Sequence, residues 1–222
     1  MNSFIFLLLF VICIGLIYVV HRCFGKHEFY LLTVVYSIIS FIMSFKLVTL
    51  FGFNVNMGIV FSSGLIAILY YFIIRFDESE IKKYIITVML GVFACIIFIL
   101  IGSFMTPSMY SDNLILFKNL FFNNWIILIL YPISLLVTLI LFSFTFLELK
   151  GVKKKRKFKV LLSIIGIIFV DTILFIYFSY AAIIKFSVSH LVAIDNYFIK
   201  TIITVIMYLL INWIMKAKKV KS

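Results

Sequence analysis

Charge is what this chain of 222 residues has least of: Asp, Glu, Lys and Arg make up 13% of it, and only eight residues are acidic. A soluble domain of this length needs more polar surface to cover itself, and a mean hydropathy of +1.27 excludes one. Proline occurs twice and glycine nine times, too rarely to interrupt long helices often. The alternating in-and-out pattern of short segments that a membrane β-barrel requires is missing too. Three cysteines, Cys13, Cys23 and Cys95, stand far apart, so packing is their expected role, with neither a disulfide nor a metal site. Zinc-protease, nucleophile-elbow and phosphate-loop patterns are absent. No catalytic residue, cofactor or metal is therefore assigned, and the chain does not read as an enzyme.

What the chain does have is apolar length: 65% of its residues are hydrophobic and 18% aromatic. A helix needs about 20 apolar residues to cross the hydrocarbon core. Seven stretches qualify: Ser3–Val20, Phe29–Phe51, Met57–Ile74, Lys83–Met105, Trp125–Leu147, Lys159–Ile184 and Leu191–Met215. The first has no basic residue ahead of it and no small-residue cleavage site, so it reads as a helix and not a signal peptide. The expected fold class is an all-α polytopic membrane protein, one integral domain over residues 1–222. Most of the 27 Phe and 12 Tyr are expected to face lipid.

Orientation follows from the basic residues. Arg22 and Lys26 follow the first span; Arg75, Lys82 and Lys83 follow the third; Lys150, Lys153, Lys154, Lys155, Arg156, Lys157 and Lys159 follow the fifth. Lys216, Lys218, Lys219 and Lys221 form the tail. Only Lys46, Lys118, Lys185 and Lys200 of the 20 basic residues lie elsewhere. The positive-inside rule places the first group in the cytoplasm, with the N-terminus outside and the C-terminus inside a cytoplasmic membrane. The net charge of +12 is thereby explained by topology and contact with the lipid bilayer, and no nucleic-acid partner is expected. Trp125 and Trp213 fall at opposite interfaces. His21 and His27 fall in a solvated basic link, and His190 in an outer loop.

Four charges remain inside the apolar stretches: Lys46, Asp171, Asp195 and Lys200. Each costs at least ~2.5–3.5 kcal/mol to insert, and such groups mark pathways or binding sites. Lys46 is expected in the outer quarter of the second span and Asp171 near the midplane of the sixth. Asp195 belongs at the outer mouth of the last span, and Lys200 ~14 Å in from Leu191. Asp195 and Lys200 are offset by roughly 140° around their helix, whereas Asn196 and Lys200 share a face. Lys200 is therefore expected to pair with Asp171, either as part of a site or as a plain tie between two helices. Lys46 and Asp195 are close enough to the interface to reach water. Asn54, Asn56, Ser62, Ser63, Thr172, Tyr177 and Thr201 are the other polar groups nearby, with Ser62-Ser63-Gly64 suited to close helix packing.

From Gly25 to Ile85 the segments FGKHEFYLL, FKLVTLFGFNVNMG and FDESEIKKYI, with Lys46 shortly before Leu50-Phe51-Gly52, resemble the vitamin-uptake-transporter type family of queuosine precursor transporters. VDTILFIYFSY around Asp171 and IDNYFIKTIITVIMYLL around Lys200 look like that family's last two helices. The resemblance covers most of the chain and departs from the family at four positions. Ile59 stands for an Asn, Tyr70 and Ile74 for an Asp and a Glu, and Asp77 for a glycine. It implies a six-helix transporter core, similar to the substrate-binding subunits of energy-coupling-factor transporters, plus an N-terminal helix. It also implies uptake of a purine-like, deazaguanine-type queuosine precursor, with Lys46, Asp171, Asp195, Asn196 and Lys200 as candidate substrate-binding residues. A purine-like base would offer a hydrogen-bonding edge to Asp171 or Lys200 and a π-face to an aromatic ring. The alternatives are a substrate-capture or assembly subunit needing a partner module, and a degenerate member without transport. Energy coupling, an energising partner and homo-oligomerisation are left open.

Overall fold

A computed structural model describes residues 2–104, 121, 124–150, 156–183 and 186–216. Of the basic positions named above, Lys118, Lys153, Lys154, Lys155, Lys185, Lys218, Lys219 and Lys221 lie outside the described residues. The chain is an all-α polytopic membrane protein. Its helices are α1 (Asn2–Cys23), α2 (Lys26–Met43), α3 (Ile59–Arg75), α4 (Glu78–Phe104) and α5 (Trp125–Lys150). They are followed by α6 (Arg156–Asp171), a π-helical stretch (Thr172–Tyr177), α7 (Phe178–Ile183) and α8 (Phe186–Lys216). Five helical stretches are long and apolar enough to cross a membrane: Asn2–Cys23, Glu78–Ser103, Trp125–Glu148, Phe158–Ala181 and Val188–Lys216.

The second and third spans differ from these five. Helix α3 has 17 residues, and every one from Ile59 to Ile73 is buried. It is the hub of the bundle, packed against α1, α2, α4, α5 and α8, and a helix enclosed on all sides is apolar all round. Small residues permit this: a Cβ on Gly64 would stand 2.8 Å from Cys13 Sγ and 3.0 Å from the Tyr36 ring. Helix α2 stops at Met43, eight residues short of the expected end at Phe51. In place of its last turns stands a hairpin, β1 (Leu47–Leu50) and β2 (Phe53–Asn56). These are antiparallel, with Leu47 opposite Asn56 and Leu50 opposite Phe53. Apolar Phe53 and Val55 alternate with Asn54 and Asn56, and Phe51-Gly52 makes the two-residue turn. A hydropathy window sees only their mean and cannot separate a hairpin from a helix. Both turn residues have positive φ, 52° at Phe51 and 89° at Gly52, as the preferred twist of short hairpins requires.

Other expectations need correcting. Many rings are core and not lipid-facing: Tyr36, Tyr84, Phe29, Phe41, Phe72 and Phe142 are fully buried. His21 is buried, not solvated, with Nδ1 3.2 Å from the Tyr71 hydroxyl, whereas His27 is exposed. His190 lies inside α8, which begins at Phe186, with its ring against Tyr177 at 5.3 Å. Helix α5 runs through Pro132, and the sixth span carries the π-helical stretch. Cys13, Cys23 and Cys95 are free thiols.

Opposite ends of the bundle differ in character. One carries the hairpin, the start of α5 and Asp195. At the other, Lys26 and Lys83 flank Glu80, and the Arg75 guanidinium donates to the Met215 carbonyl at 3.0 Å.

Candidate functional site

Asp171 closes α6 at the point where the helix widens into its π-helical stretch, a device frequent at functional sites. It is 4% exposed, and a bare carboxylate there would be untenable. Three groups from two other helices answer it. Lys200 Nζ on α8 donates to Oδ2 at 2.6 Å, while Ser134 Oγ and Thr138 Oγ1 on α5 donate to Oδ1 at 2.9 and 2.8 Å. Ser134 and Thr138 are one turn apart, so a single face of α5 supplies both. Pro132, which has no N–H to give the preceding turn, sits just before them.

The expected Asp171–Lys200 pairing is thus observed, and so is what surrounds it. Beside the pair lies a cavity of about 20 Å³, whose polar lining is Asn56, Ser62, Tyr131, Ser134, Asp171 and Lys200. That space suits a water molecule or two and no purine. An ammonium has three N–H donors, and Lys200 spends one on Asp171. Among the described residues the other two meet no acceptor, and they can serve a ligand or water.

The cavity continues into a hydrogen-bonded wall. The Tyr131 hydroxyl donates to Ser40 Oγ at 2.6 Å, and Ser40 Oγ to the Gly58 carbonyl at 3.0 Å. Asn56 Nδ2 donates to the Ser44 carbonyl at 2.6 Å and to the Tyr180 hydroxyl at 2.9 Å, and its Oδ1 accepts from Gly58 N–H at 2.8 Å. Gly58 permits this close approach: a Cβ there would stand 2.5 Å from the Ser40 carbonyl oxygen.

The remaining candidates lie elsewhere. Lys46 is exposed at the base of the hairpin, outside any helix, and its carbonyl accepts from Met57 N–H at 3.0 Å. Its expected place on an extended second helix is lost with that helix's last turns. Asp195 and Asn196 hold the hairpin to α8. Asp195 Oδ2 accepts from Asn54 N–H at 2.8 Å, and Asn196 Oδ1 from Asn56 N–H at 2.7 Å. Asn196 Nδ2 returns a bond to the Asn54 carbonyl at 3.1 Å. The side-chain amide of Asn196 thus pairs with the outer edge of β2 as a third strand would, covering an edge otherwise unpaired.

Helix α8 carries a longer pattern of the same kind. Asn196, Lys200, Thr204, Tyr208 and Asn212 recur every four residues and meet polar or aromatic partners along the whole span. Thr204 Oγ1 donates to Ser63 Oγ at 2.9 Å, the Tyr208 ring lies 4.9 Å from that of Tyr70, and the Tyr70 hydroxyl donates to Asn212 Oδ1 at 3.1 Å. Tyr70 therefore closes the basic end of this seam. Tyr131, Ser134 and Thr138 were missed in the sequence, although their i, i+3, i+7 spacing on an apolar helix marks one polar face. Comparison with protein-family models, curated proteins and solved structures finds no match to this chain.

Proposed function

We propose that this protein is an uptake transporter for a small purine-like solute of the deazaguanine, queuosine-precursor class, working through the Asp171–Lys200 centre. The observation that carries this reading is a carboxylate and an ammonium 2.6 Å apart in the membrane interior, beside a polar cavity. Among the described residues the Lys200 ammonium bonds to Asp171 alone, and the adjoining helix is π-wound. A pair that served only to fasten two helices would need neither a cavity nor an irregular turn next to it. With its present volume of about 20 Å³, the cavity represents a closed state. Admitting a base requires α5, the π-helical stretch and the hairpin to separate. In this reading the chain sits in the cytoplasmic membrane with the hairpin end outside and the basic end inside, and the substrate reaches Asp171 from the hairpin side.

The test is uptake of a radiolabelled deazaguanine base by cells carrying Asp171→Asn or Lys200→Met, with membrane insertion checked in parallel. Loss of uptake on the order of 10- to 100-fold is expected for removal of a charge-assisted contact. Normal uptake by both variants would sink the assignment.

A second reading is favoured by one observation: Tyr70 and Ile74 occupy positions where the resembled family has acids, and the Tyr70 ring packs between Phe146 and Tyr208. The chain would then be a substrate-capture or assembly subunit, or a scaffold without transport. Purified protein in liposomes separates the two, since a self-sufficient carrier moves the base without a partner module.

A further inference from the structure

Helix α1 is the least buried of the five long spans, with 17% of its apolar window inside the bundle against 33–50% for the others. Between it and α8 runs a groove open to the membrane. Its two parts, of about 230 and 570 Å³, share Phe10 as a common wall. Along this groove the walls are apolar, aliphatic and aromatic side chains together, and its floor is open at Gly15, where an added Cβ would meet nothing within 4 Å. From Phe6 to Tyr18 it extends ~18 Å along α1, about the depth of one leaflet.

The basic end of the groove is different. The Tyr18 ring stacks on Trp213 with centroids 6.2 Å apart, an aromatic pair suited to the interface. Arg22 Nη1 donates to the Tyr18 hydroxyl at 3.3 Å, and Lys216 ends α8 one turn beyond Trp213. Among the described residues neither cation has a carboxylate partner. An apolar channel one leaflet deep, an interfacial aromatic pair and two unpaired cations above it match the parts of one class of molecule.

We propose that the α1–α8 groove is a binding site for an anionic phospholipid, with an acyl chain lying past Gly15 and the phosphate held by Arg22 and Lys216. Cations near the membrane surface favour anionic headgroups, and long basic side chains reach upward from an apolar wall to meet them. The site is separate from the Asp171 centre and stands whichever solute that centre handles.

Trp213 makes the test direct, because Trp125→Phe leaves it as the sole tryptophan of the two. The full chain is reconstituted in vesicles of phosphatidylcholine containing chain-brominated phosphatidylglycerol or, at equal mole fraction, chain-brominated phosphatidylcholine. Trp213 fluorescence is expected to show a preference on the order of tenfold for the anionic lipid. Arg22→Gln with Lys216→Gln should bring the two lipids to parity while quenching persists. Gly15→Leu, which fills the groove, should weaken quenching by both, and Gly15→Ala should do so less. A Trp213→Phe protein, reporting from Trp125 alone, should show no preference. Equal quenching by the two lipids in the parent protein would overturn the proposal, as would quenching indifferent to Gly15→Leu. Shielding of Trp213 from both lipids would overturn it as well and would place a second copy of the chain in the groove.

Discussion

Asp171 holds one lysine nitrogen and Glu80 two, all within 3.0 Å, yet the two carboxylates do different things. Glu80 sits in the first turn of α4, ahead of the apolar stretch, with its side chain 14% exposed and its partners Lys26 and Lys83 at 35% and 65%. Water and salt compete for every charge in that cluster, and removing one leaves the others solvated. The side chains of Asp171 and Lys200 are 5% and 8% exposed, and among the described residues each has the other as its only ion-pair partner. In such a place the pair gives little net stability over an apolar replacement, but breaking it strands a charge. Rim charges of this kind are cheap and replaceable; an interior pair persists where it has a further use.

The largest effect should come from Asp171→Asn, which keeps the shape and strands the Lys200 ammonium. A loss of about 3–5 kcal/mol is expected, measured as unfolding in detergent by tryptophan fluorescence. Lys200→Met should cost a similar amount. The double variant should recover most of that stability and still fail in uptake, which distinguishes a working site from a fastener. If the double variant transports normally, the contrast between interior and rim is merely one of cost.

Next in size is the hairpin anchor. Asn196→Leu removes the donor to the Asn54 carbonyl and the acceptor of Asn56 N–H, leaving that buried amide without its partner, at about 1–3 kcal/mol. Hydrogen exchange should report it locally, with the Asn54 and Asn56 amides losing protection while those in the middle of α3 keep theirs. Uniform loss of protection across the bundle would mean that the hairpin and the core unfold as one unit.

A smaller effect of opposite sign is expected at Phe51. Its φ of 52° is a conformation that a bulky residue adopts at a cost of roughly 1 kcal/mol, whereas Asn-Gly is the preferred pair for such a turn. The side chain is 62% exposed, so Phe51→Asn gives up little packing. The thermal midpoint should rise slightly, and a fall would show that Phe51 earns its place by contact with the membrane.

Legibility in the sequence followed the physical range of each signal. Hydropathy over a long window is a local sum, so the five long helices and the clustering of basic residues at one end were readable directly. The Asp171–Lys200 pair was readable because two opposite charges in hydrocarbon have few alternatives. The hairpin was not, since Leu47 to Asn56 is as apolar as a helix end and its anchoring depends on Asp195 and Asn196 of α8, about 140 residues away. Lys46 was misplaced for that reason. Ser134 and Thr138 had a signal in their spacing, but hydroxyls on an apolar helix more often bond their own backbone, as Ser143 does with the Leu139 carbonyl. Only the position of Asp171 gives them another partner.

The smallest effect belongs to the rim. Hydrogen bonds from Lys83, Lys26 and Tyr30 hold the Glu80 carboxyl down to about 2, against 4.5 for the free group. A carboxyl lowered on folding stabilises the native state fully above the unfolded value of 4.5, and that contribution fades as pH falls from there towards 2. Glu80→Gln should therefore lower the thermal midpoint slightly at pH 7 and leave it unchanged at the acid end of that window. Raising salt from about 0.1 to 1 M, which shortens the screening length from ~10 to ~3 Å, should abolish the difference at pH 7. The deficit of Asp171→Asn should survive the same salt, because no ion reaches a pair enclosed by α5, α6 and α8. Equal salt sensitivity in the two variants would place Asp171 in contact with water, and the closed state of its cavity would then be open to solvent.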